Sequence, residues 1–569
     1  MTLQELLQIY RQRYKVLAEI DLDHWHELES SQKVPWLKDI VNSVHRSIFN
    51  NNQRIIFTLT QGEHYEKQDS VQGLIVKNLQ KILNGVDISN YFVVLLINDK
   101  KNLENYIHNS KMNSIDTVPL TIDLFDDPPC PSTKKVYNQS IIQYDYNSPL
   151  PVTISLNDLE DRHSHLLTDS KTFCIYPWIH IHTDPNGKAF PCCFFDSNTE
   201  SLGSVKKNSL KELWNGDRMK QLRVKMLNDT PDSGCIKCYE SEKSGFFSGR
   251  RSANKHYGHH IRKVDNTGPD GHLEEFKMVH WDIRFSNLCN LRCRSCGHLF
   301  SSQWYQDQAK LEGPEWAAKH QVLNFSGRTP TDMWEQLLPH LDYVEQIYFA
   351  GGEPLIMDEH YMILEELVRQ EKFNIRLLYN TNFTEVKLKK RLVFDYWKKF
   401  DSVAVGASLD AMGACGEYMR KGTKWHDIIE NRQRMLEICP QVNFYISSTL
   451  SIMNAWHLPD FHRDWVDRGL IRHQDFDVHA LQQPNYYRID IAPMKYKQQL
   501  RDKYEKHLAW LRPYDHLCRA TNAFESAINF MMATDNTQLI DTFWHQTNKL
   551  DTIRNENMLR VIPELEALK

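Results

Sequence analysis

The sequence predicts an α/β protein: a partial (β/α)6, TIM-like barrel preceded by a small cysteine-rich domain and an N-terminal α/β domain. Three observations predict it. From Val279 onward, six short apolar runs alternate with segments of helical periodicity. Cys174, Cys192, Cys193, Cys235, Cys238, Cys289, Cys293 and Cys296, out of twelve cysteines, crowd into two separately spaced sets. The first 125 residues carry their own alternation of strand-like and helix-like segments. At 569 residues the chain exceeds a single core, since domains hold about 100–200 residues.

In the N-terminal domain, residues 1–125, the opening "MTLQELLQIYRQRYKVLAEI" has amphipathic helical spacing. Strands follow in "RIIFTLTQ", "YFVVLLIND" and "TVPLTIDLF", with helices in "QGLIVKNLQKILNGV" and "KNLENYIHNSK". No glycine-rich phosphate loop is present, which favours docking of a substrate or partner over nucleotide binding. The opening segment carries charges throughout in place of the uninterrupted apolar core of a signal peptide, which argues against export, and "YFVVLLI" is far shorter than the ~20 residues that span a bilayer. The expectation is a cytoplasmic protein without a membrane partner. Its formal charge of −5 argues against a general grip on nucleic acid. In that reducing compartment, clustered cysteines point to metal or redox chemistry before disulfides.

The proline-rich "DDPPCPSTKK" and "NSPLPVT" mark a linker over 126–165. Next comes the cysteine-rich domain, 166–250, with "FCIYPWIHIHTDPNGKAFPCCFFD" and, further on, "GCIKCYE". Between them "SLKELWNGDRMKQLRVKML" reads as an amphipathic helix. Cys174, Cys192, Cys235 and Cys238 suffice to close a metal site, with Cys193 an alternative to Cys192; a zinc ribbon and an iron–sulfur cluster both fit. The basic run "SGRRSANKHYGHHIRK" reads as a solvated loop.

The barrel, 275–490, takes its strands from "VHWDIRF", "VEQIYFA", "IRLLYNTN", "SVAVGASLD", "NFYISSTLS" and "QDFDVHAL", with helices such as "DEHYMILEELVRQ" and "WHDIIENRQRMLEIC" between them. Barrels of this kind place their chemistry at the C-terminal ends of the strands. There the first strand leads into "SNLCNLRCRSCGH", with Cys289, Cys293 and Cys296; zinc with His298 as fourth ligand, or a cluster with one open corner, would use them. The second leads into "AGGEP", where Gly351 and Gly352 allow close backbone approach, Glu353 offers a carboxylate and Pro354 stiffens the turn. Asn380 and Asn382 end the third. After the fourth, "SLDAMGACGEYMRKG" supplies Ser408 and Asp410, suited to ribose hydroxyls, and Arg420, suited to a carboxylate; Cys415 lies between. Together these groups describe a pocket for a zwitterionic amino acid joined to a ribose. The tail, 491–569, reads as a helical packing appendage in which Cys518 is a buried thiol.

The Cys-x3-Cys-x2-Cys loop and the Gly-Gly-Glu-Pro turn, over Val279 to Leu481, resemble the radical S-adenosylmethionine (radical SAM) superfamily. The resemblance implies a [4Fe-4S] cluster on Cys289, Cys293 and Cys296 whose fourth iron chelates S-adenosylmethionine. Its reductive cleavage gives a 5'-deoxyadenosyl radical that abstracts hydrogen from a substrate. It further implies that Gly351, Gly352 and Glu353 meet the methionine amino group, with Pro354 in the same turn, and that Ser408, Asp410 and Arg420 contact ribose and carboxylate, while Asn380 and Asn382 either face the same cavity or serve a structural turn. Ser295 departs from the aromatic residue usual before the last cysteine, which moves adenine packing to Leu299 or to the region of Ser451 and Asn454.

The Cys-x12-Gly-x4-Cys hairpin, the Trp-Asn segment and the CxxC pair resemble twitch and SPASM auxiliary-cluster domains. That implies one auxiliary cluster, of [4Fe-4S] type, on Cys174, Cys192, Cys235 and Cys238. Ser244 in place of a further cysteine favours the shorter twitch form, and the position before the barrel departs from the usual order. The family's habits imply a peptide or protein substrate, undergoing oxidation, crosslinking or epimerisation, and a low-potential donor such as a flavodoxin or ferredoxin. Cys415 would return hydrogen in an epimerisation. The alternatives are a dehydrogenase or mutase of a small molecule, and a non-catalytic zinc or iron–sulfur scaffold.

Overall fold

The computed structural model describes residues 16–21, 55–60, 91–97, 120–124, 140–141, 154–155, 160–243, 248–515 and 518–568. The chain divides into two compact units, Met1–Thr153 and Ile154–Lys569. In the first, strands β1 (Val16–Asp21), β2 (Ile55–Thr60), β3 (Tyr91–Ile97) and β4 (Leu120–Leu124) form one parallel sheet in chain order. Residues Val16 to Ile20, which the sequence assigned to the opening amphipathic segment, are strand: "VLAEID" carries β-branched and apolar residues that pair with β2. The helices expected in this unit, and Ser244, lie outside the described residues.

The second unit is built on one nine-stranded sheet. Its strands are β5 (His180–Thr183), β6 (Lys188–Phe190), β7 (Gly203–Ser204), β8 (His280–Ile283), β9 (Gln346–Phe349), β10 (Arg376–Thr381), β11 (Val403–Ala407), β12 (Asn443–Leu450) and β13 (Phe476–Ala480), in the order β13-β12-β11-β10-β9-β8-β5-β6-β7. β8 to β13 are the six predicted barrel strands, all parallel and adjacent in chain order. Every residue of β8 and β11 is buried, as expected of a parallel sheet covered on both faces. The sheet is open, so the barrel is partial.

The cysteine-rich region is not a separate layer. Its strand β5 joins the barrel sheet parallel to β8, and β6 and β7 extend it antiparallel. The β5–β8 seam is polar: the imidazoles of His180 and His182 meet the carbonyls of His280 and Asp282 at 2.9 and 3.1 Å. Burial pulls the His180 imidazole down to about 4, so that ring is neutral, whereas at His182 the effect of burial is outweighed by Asp282 and Asp184, which hold its imidazole above the ordinary value.

The predicted single helix over Ser209 to Leu227 is two, α1 (Leu210–Trp214) and α2 (Asp217–Leu227), broken at Asn215–Gly216. Ser209 and Glu212 form a capping box that starts α1. α3 (Ile236–Lys243) carries Cys238, and α4 (Gly249–Tyr257) follows. The basic run is therefore no solvated loop. Arg250 is buried and hydrogen-bonds to Glu242 and the carbonyls of Ser170 and Phe173, while His259 and His260 both reach the Glu345 carboxylate, each at 2.9 Å.

Around the barrel strands lie α5 (Asp358–Arg369), α6 (Gly413–Met419), α7 (Trp425–Ile438) and α8 (Leu458–Asp467). Three longer helices, α9 (Met494–Leu511), α10 (Arg519–Ala533) and α11 (Ile540–Arg554), complete the unit. α10 packs on β13, with Phe524 stacked against Phe476 at 5.7 Å. Cys518 is disulfide-bonded, not the free thiol expected. Among the described residues no helix is long and apolar enough to cross a membrane.

Candidate functional site

β8 delivers the three-cysteine loop to the C-terminal rim of the sheet. Residues Arg292–Cys293 leave it as a short antiparallel ribbon with Arg420–Lys421, which places Cys293 opposite Arg420. Cys289, Leu291 and Cys293 form a small buried cluster of their own, and Cys296 packs against it. Two donors reach the sulfurs: Leu291 N–H, within the loop, to Cys289 Sγ at 3.4 Å, and Arg420 Nη1, from across the ribbon, to Cys293 Sγ at 3.6 Å. Burial pushes the Cys296 thiol up to about 12 and raises the other two. Three shielded thiols grouped in this way ionise only against a cation, which is the chemistry of a soft-metal site. His298, the alternative zinc ligand, instead approaches the carbonyl of Val322 at 3.3 Å and stacks edge-on against Trp316.

The Gly-Gly-Glu turn is locked onto this loop. Glu353 N–H donates to the Leu288 carbonyl at 2.7 Å. A Cβ on Gly352 would fall 2.0 Å from that same carbonyl oxygen, so the close approach the glycine allows is to the loop's own backbone. Gly351 sits at φ +127°, where side chains are strained. Glu353 is 1% exposed and accepts from Thr381 Oγ1 at 2.6 Å and from the N–H groups of Asn382 and Leu355 at 2.7 and 3.1 Å. Three of its roughly four acceptor positions are used. Desolvation dominates these bonds and lifts the carboxyl from 4.5 to about 7. Pro354 begins the short helical turn that follows.

Asn382 continues the chain of contacts: its amide donates to Asn290 Oδ1 at 2.8 Å and lies 4.0 Å from Cys289 Sγ. Asn380, half-buried, fills the space over Gly406, where a Cβ would meet its Oδ1 at 2.8 Å. Asp410 holds Arg420 Nε at 2.9 Å and accepts from Thr449 N–H at 2.9 Å, while Asn454 donates to its carbonyl at 2.8 Å. Asp410 is thus a positioning group between the ends of β11 and β12, with Arg420 as the cation it aims at Cys293. Asn454 spends its oxygen on Ser451 N–H at 2.7 Å. Ser408 anchors to the Thr381 carbonyl through its N–H at 2.7 Å. Leu299 is exposed beside the loop, and Cys415 is 3% exposed in the apolar core, its thiol pushed up to about 12 by burial.

What sequence reasoning missed lies in the tail. Arg294, inside the loop, pairs with Asp551 and with Glu556 at 2.6 Å, and stacks on Tyr418 at 3.8 Å. Arg292 bridges Asp307 at 2.9 Å, and Asp307 also receives Arg554 at 2.8 Å. The terminal nitrogens of Arg554, and Arg294 Nη1, are buried with no hydrogen-bond partner among the described residues. Unpaired donors and shielded thiols at one place fit an acceptor-rich, sulfur-bearing group. Asp551 and Glu556 stand singly among the polar residues of the tail, so nothing local in the sequence signals this pairing.

The second site is a pocket lined by Cys174, Cys192, Cys235 and Cys238, closed by Phe195 and Met226. Cys174 accepts from the N–H of Tyr176, and Cys238 from those of Arg250 and Gly249; burial pushes Cys235 up to about 12. Cys193 turns away, its thiol hydrogen-bonded to Asp282. Four thiols from three elements, with backbone donors behind two of them, fit a fully closed site.

Residues 174–239 match the SPASM family, described as an iron–sulfur cluster-binding domain, and so begin at the first and end just beyond the last cysteine of this pocket. No curated protein matches the chain. Among solved structures, a native anSMEcpe with bound AdoMet and Cp18Cys peptide is 17% identical, covering 39% of this chain and 57% of that one, with a TM-score of 0.26. Streptococcus suis SuiB bound to precursor peptide SuiA is 13% identical, covering 58% and 70%, with a TM-score of 0.29. The chain spans less than two thirds of the anSMEcpe structures it matches.

Proposed function

We propose that this chain, which carries a SPASM iron–sulfur domain, is a radical SAM enzyme acting on a peptide or protein substrate. The reading rests on one observation: Cys289, Cys293 and Cys296 gather at the C-terminal rim of the first barrel strand, with the Gly-Gly-Glu turn hydrogen-bonded to their loop. When bound there, a [4Fe-4S] cluster with one open iron supplies an electron that cleaves S-adenosylmethionine to methionine and a 5'-deoxyadenosyl radical.

The chain's own residues do the remaining work. Cys289, Cys293 and Cys296 would hold the cluster. Gly351, Gly352 and Pro354 shape the rim beside it, and Glu353, with its one free acceptor position and a carboxyl near pH 7, is suited to the cofactor's ammonium. Asn380, Asn382 and Ser408 line the strand ends, and Asp410 orients Arg420. Cys174, Cys192, Cys235 and Cys238 would hold the auxiliary cluster, which favours an iron–sulfur reading over zinc because a SPASM domain covers them. The peptide assignment rests on the resemblance to SPASM-bearing enzymes, with the electron coming from a flavodoxin or ferredoxin in the cytoplasm. Cys415 is the candidate hydrogen donor if the reaction is an epimerisation; unchanged inversion by a Cys415→Ala enzyme would remove it.

The test is anaerobic reconstitution with iron and sulfide, then reduction in the presence of S-adenosylmethionine. Formation of 5'-deoxyadenosine, lost when Cys289, Cys293 and Cys296 are all replaced by alanine, is the expected result. Equal iron content in that variant and no 5'-deoxyadenosine from the native chain would overturn it.

A further inference from the structure

Arg554 ends α11 with its side chain 0% exposed. One edge is anchored: Nε donates to Asp307 at 2.8 Å, and the guanidinium carbon lies 4.7 Å from the centre of the Trp304 ring. The other edge is not. Nη1 and Nη2 are both buried and have no partner among the described residues. An unsatisfied buried donor costs about 1–3 kcal/mol, more when charged, so two on one cation call for an acceptor at that place.

The anchors say where that edge lies. Trp304 donates its indole N–H to the carbonyl of Cys293 at 2.8 Å. Asp307 gives its second oxygen to Arg292, the residue before Cys293, at 2.9 Å. Of the four guanidinium groups in or beside this loop, Arg294 faces Asp551 and Glu556, and Arg420 is paired with Asp410. Arg554 shares its single carboxylate with Arg292, so here two cations face one anion.

We infer that Arg554 is a positioning residue of the three-cysteine site, its Nη1 and Nη2 donating to the sulfurs of a cluster held by Cys289, Cys293 and Cys296. This rests on the radical SAM reading above. Three thiolates leave such a cluster with net negative charge that grows on reduction, so an under-neutralised cation and two N–H donors favour the reduced form. α11 would then set how readily the cluster accepts its electron, from more than 250 residues along the chain.

The experiment is a reductive titration, followed by electron paramagnetic resonance, of the full reconstituted chain and its Arg554→Gln and Arg554→Lys variants. The three-cysteine cluster is identified as the signal that S-adenosylmethionine perturbs. Arg554→Gln is expected to keep that signal but to reduce it only at a more negative potential, with Arg554→Lys between the two and the auxiliary signal unmoved. An iron-replete Arg554→Gln chain with unchanged potential would overturn the inference. Should Arg554→Gln lose iron, Arg554→Lys decides, and a wild-type potential there overturns it equally. Absence of any signal sensitive to S-adenosylmethionine in the native chain would instead defeat the radical SAM reading, and this inference with it.

Discussion

Gly352 and Glu353 show two constraints meeting in adjacent residues. The glycine exists so that the turn can lie against the Leu288 carbonyl, and Gly352→Ala is expected to destabilise the protein by about 1–3 kcal/mol, the usual cost of overpacking. Thermal denaturation of the cluster-free chain measures it, and the variant reconstituted with iron and sulfide should take up less iron than the native chain. Glu353 makes a pH prediction. Its folded value, about 7, lies above the ordinary 4.5, so the neutral form is the favoured one. The stability it contributes is full below pH 4.5 and is lost as pH rises through 7, by roughly 3 kcal/mol at about 1.4 per unit. Glu353→Gln should flatten the stability profile of the cluster-free chain across that window; an unchanged slope would show the carboxyl is ionised throughout.

Between elements, the informative contrasts are pairs. Cys192 lines the auxiliary pocket and Cys193 faces Asp282, so Cys192→Ser is expected to lose the auxiliary cluster's iron while Cys193→Ser retains it, read by iron analysis and visible absorbance. Asp410 ties β11 to β12 and is buried with Arg420; Asp410→Ala strands that cation and should cost on the order of 3–5 kcal/mol in denaturant unfolding. Much of this scale was legible in the sequence. All six barrel strands could be placed because their apolar runs are separated by helical periods, and the two cysteine groups stood out because the spacings within each motif are short. What escaped was non-local. Asp410 and Asn382 also bond to Thr449, Asn454 and Asn290, and nothing in their neighbours along the chain announces partners 39 to 92 residues away. The break at Asn215–Gly216 was readable from its glycine but was overruled by the apolar spacing around it.

At the scale of the unit, one sheet carries both cysteine sites, and the segment joining them is pinned to its base by Glu345. Burial works to raise that carboxyl, but hydrogen bonds from His259 and His260 hold it well below the usual range. Its contribution is present above pH 4.5 and fades as pH falls toward the folded value. Glu345→Gln should therefore be less stable than the native chain at neutral pH, with the gap narrowing in acid; a constant gap in melting temperature between pH 7 and pH 3 would count against it.

The seam between β5 and β8 also has a consequence in time. His180 and His280 are neighbours in space but a hundred residues apart in the chain. A ribosome adding about 5–20 residues each second leaves β5 without its parallel partner for roughly 5–20 s. For that interval β5 has only its antiparallel neighbour β6, and the thiols of Cys174 and Cys192 are carried on a sheet edge that β8 has yet to cover.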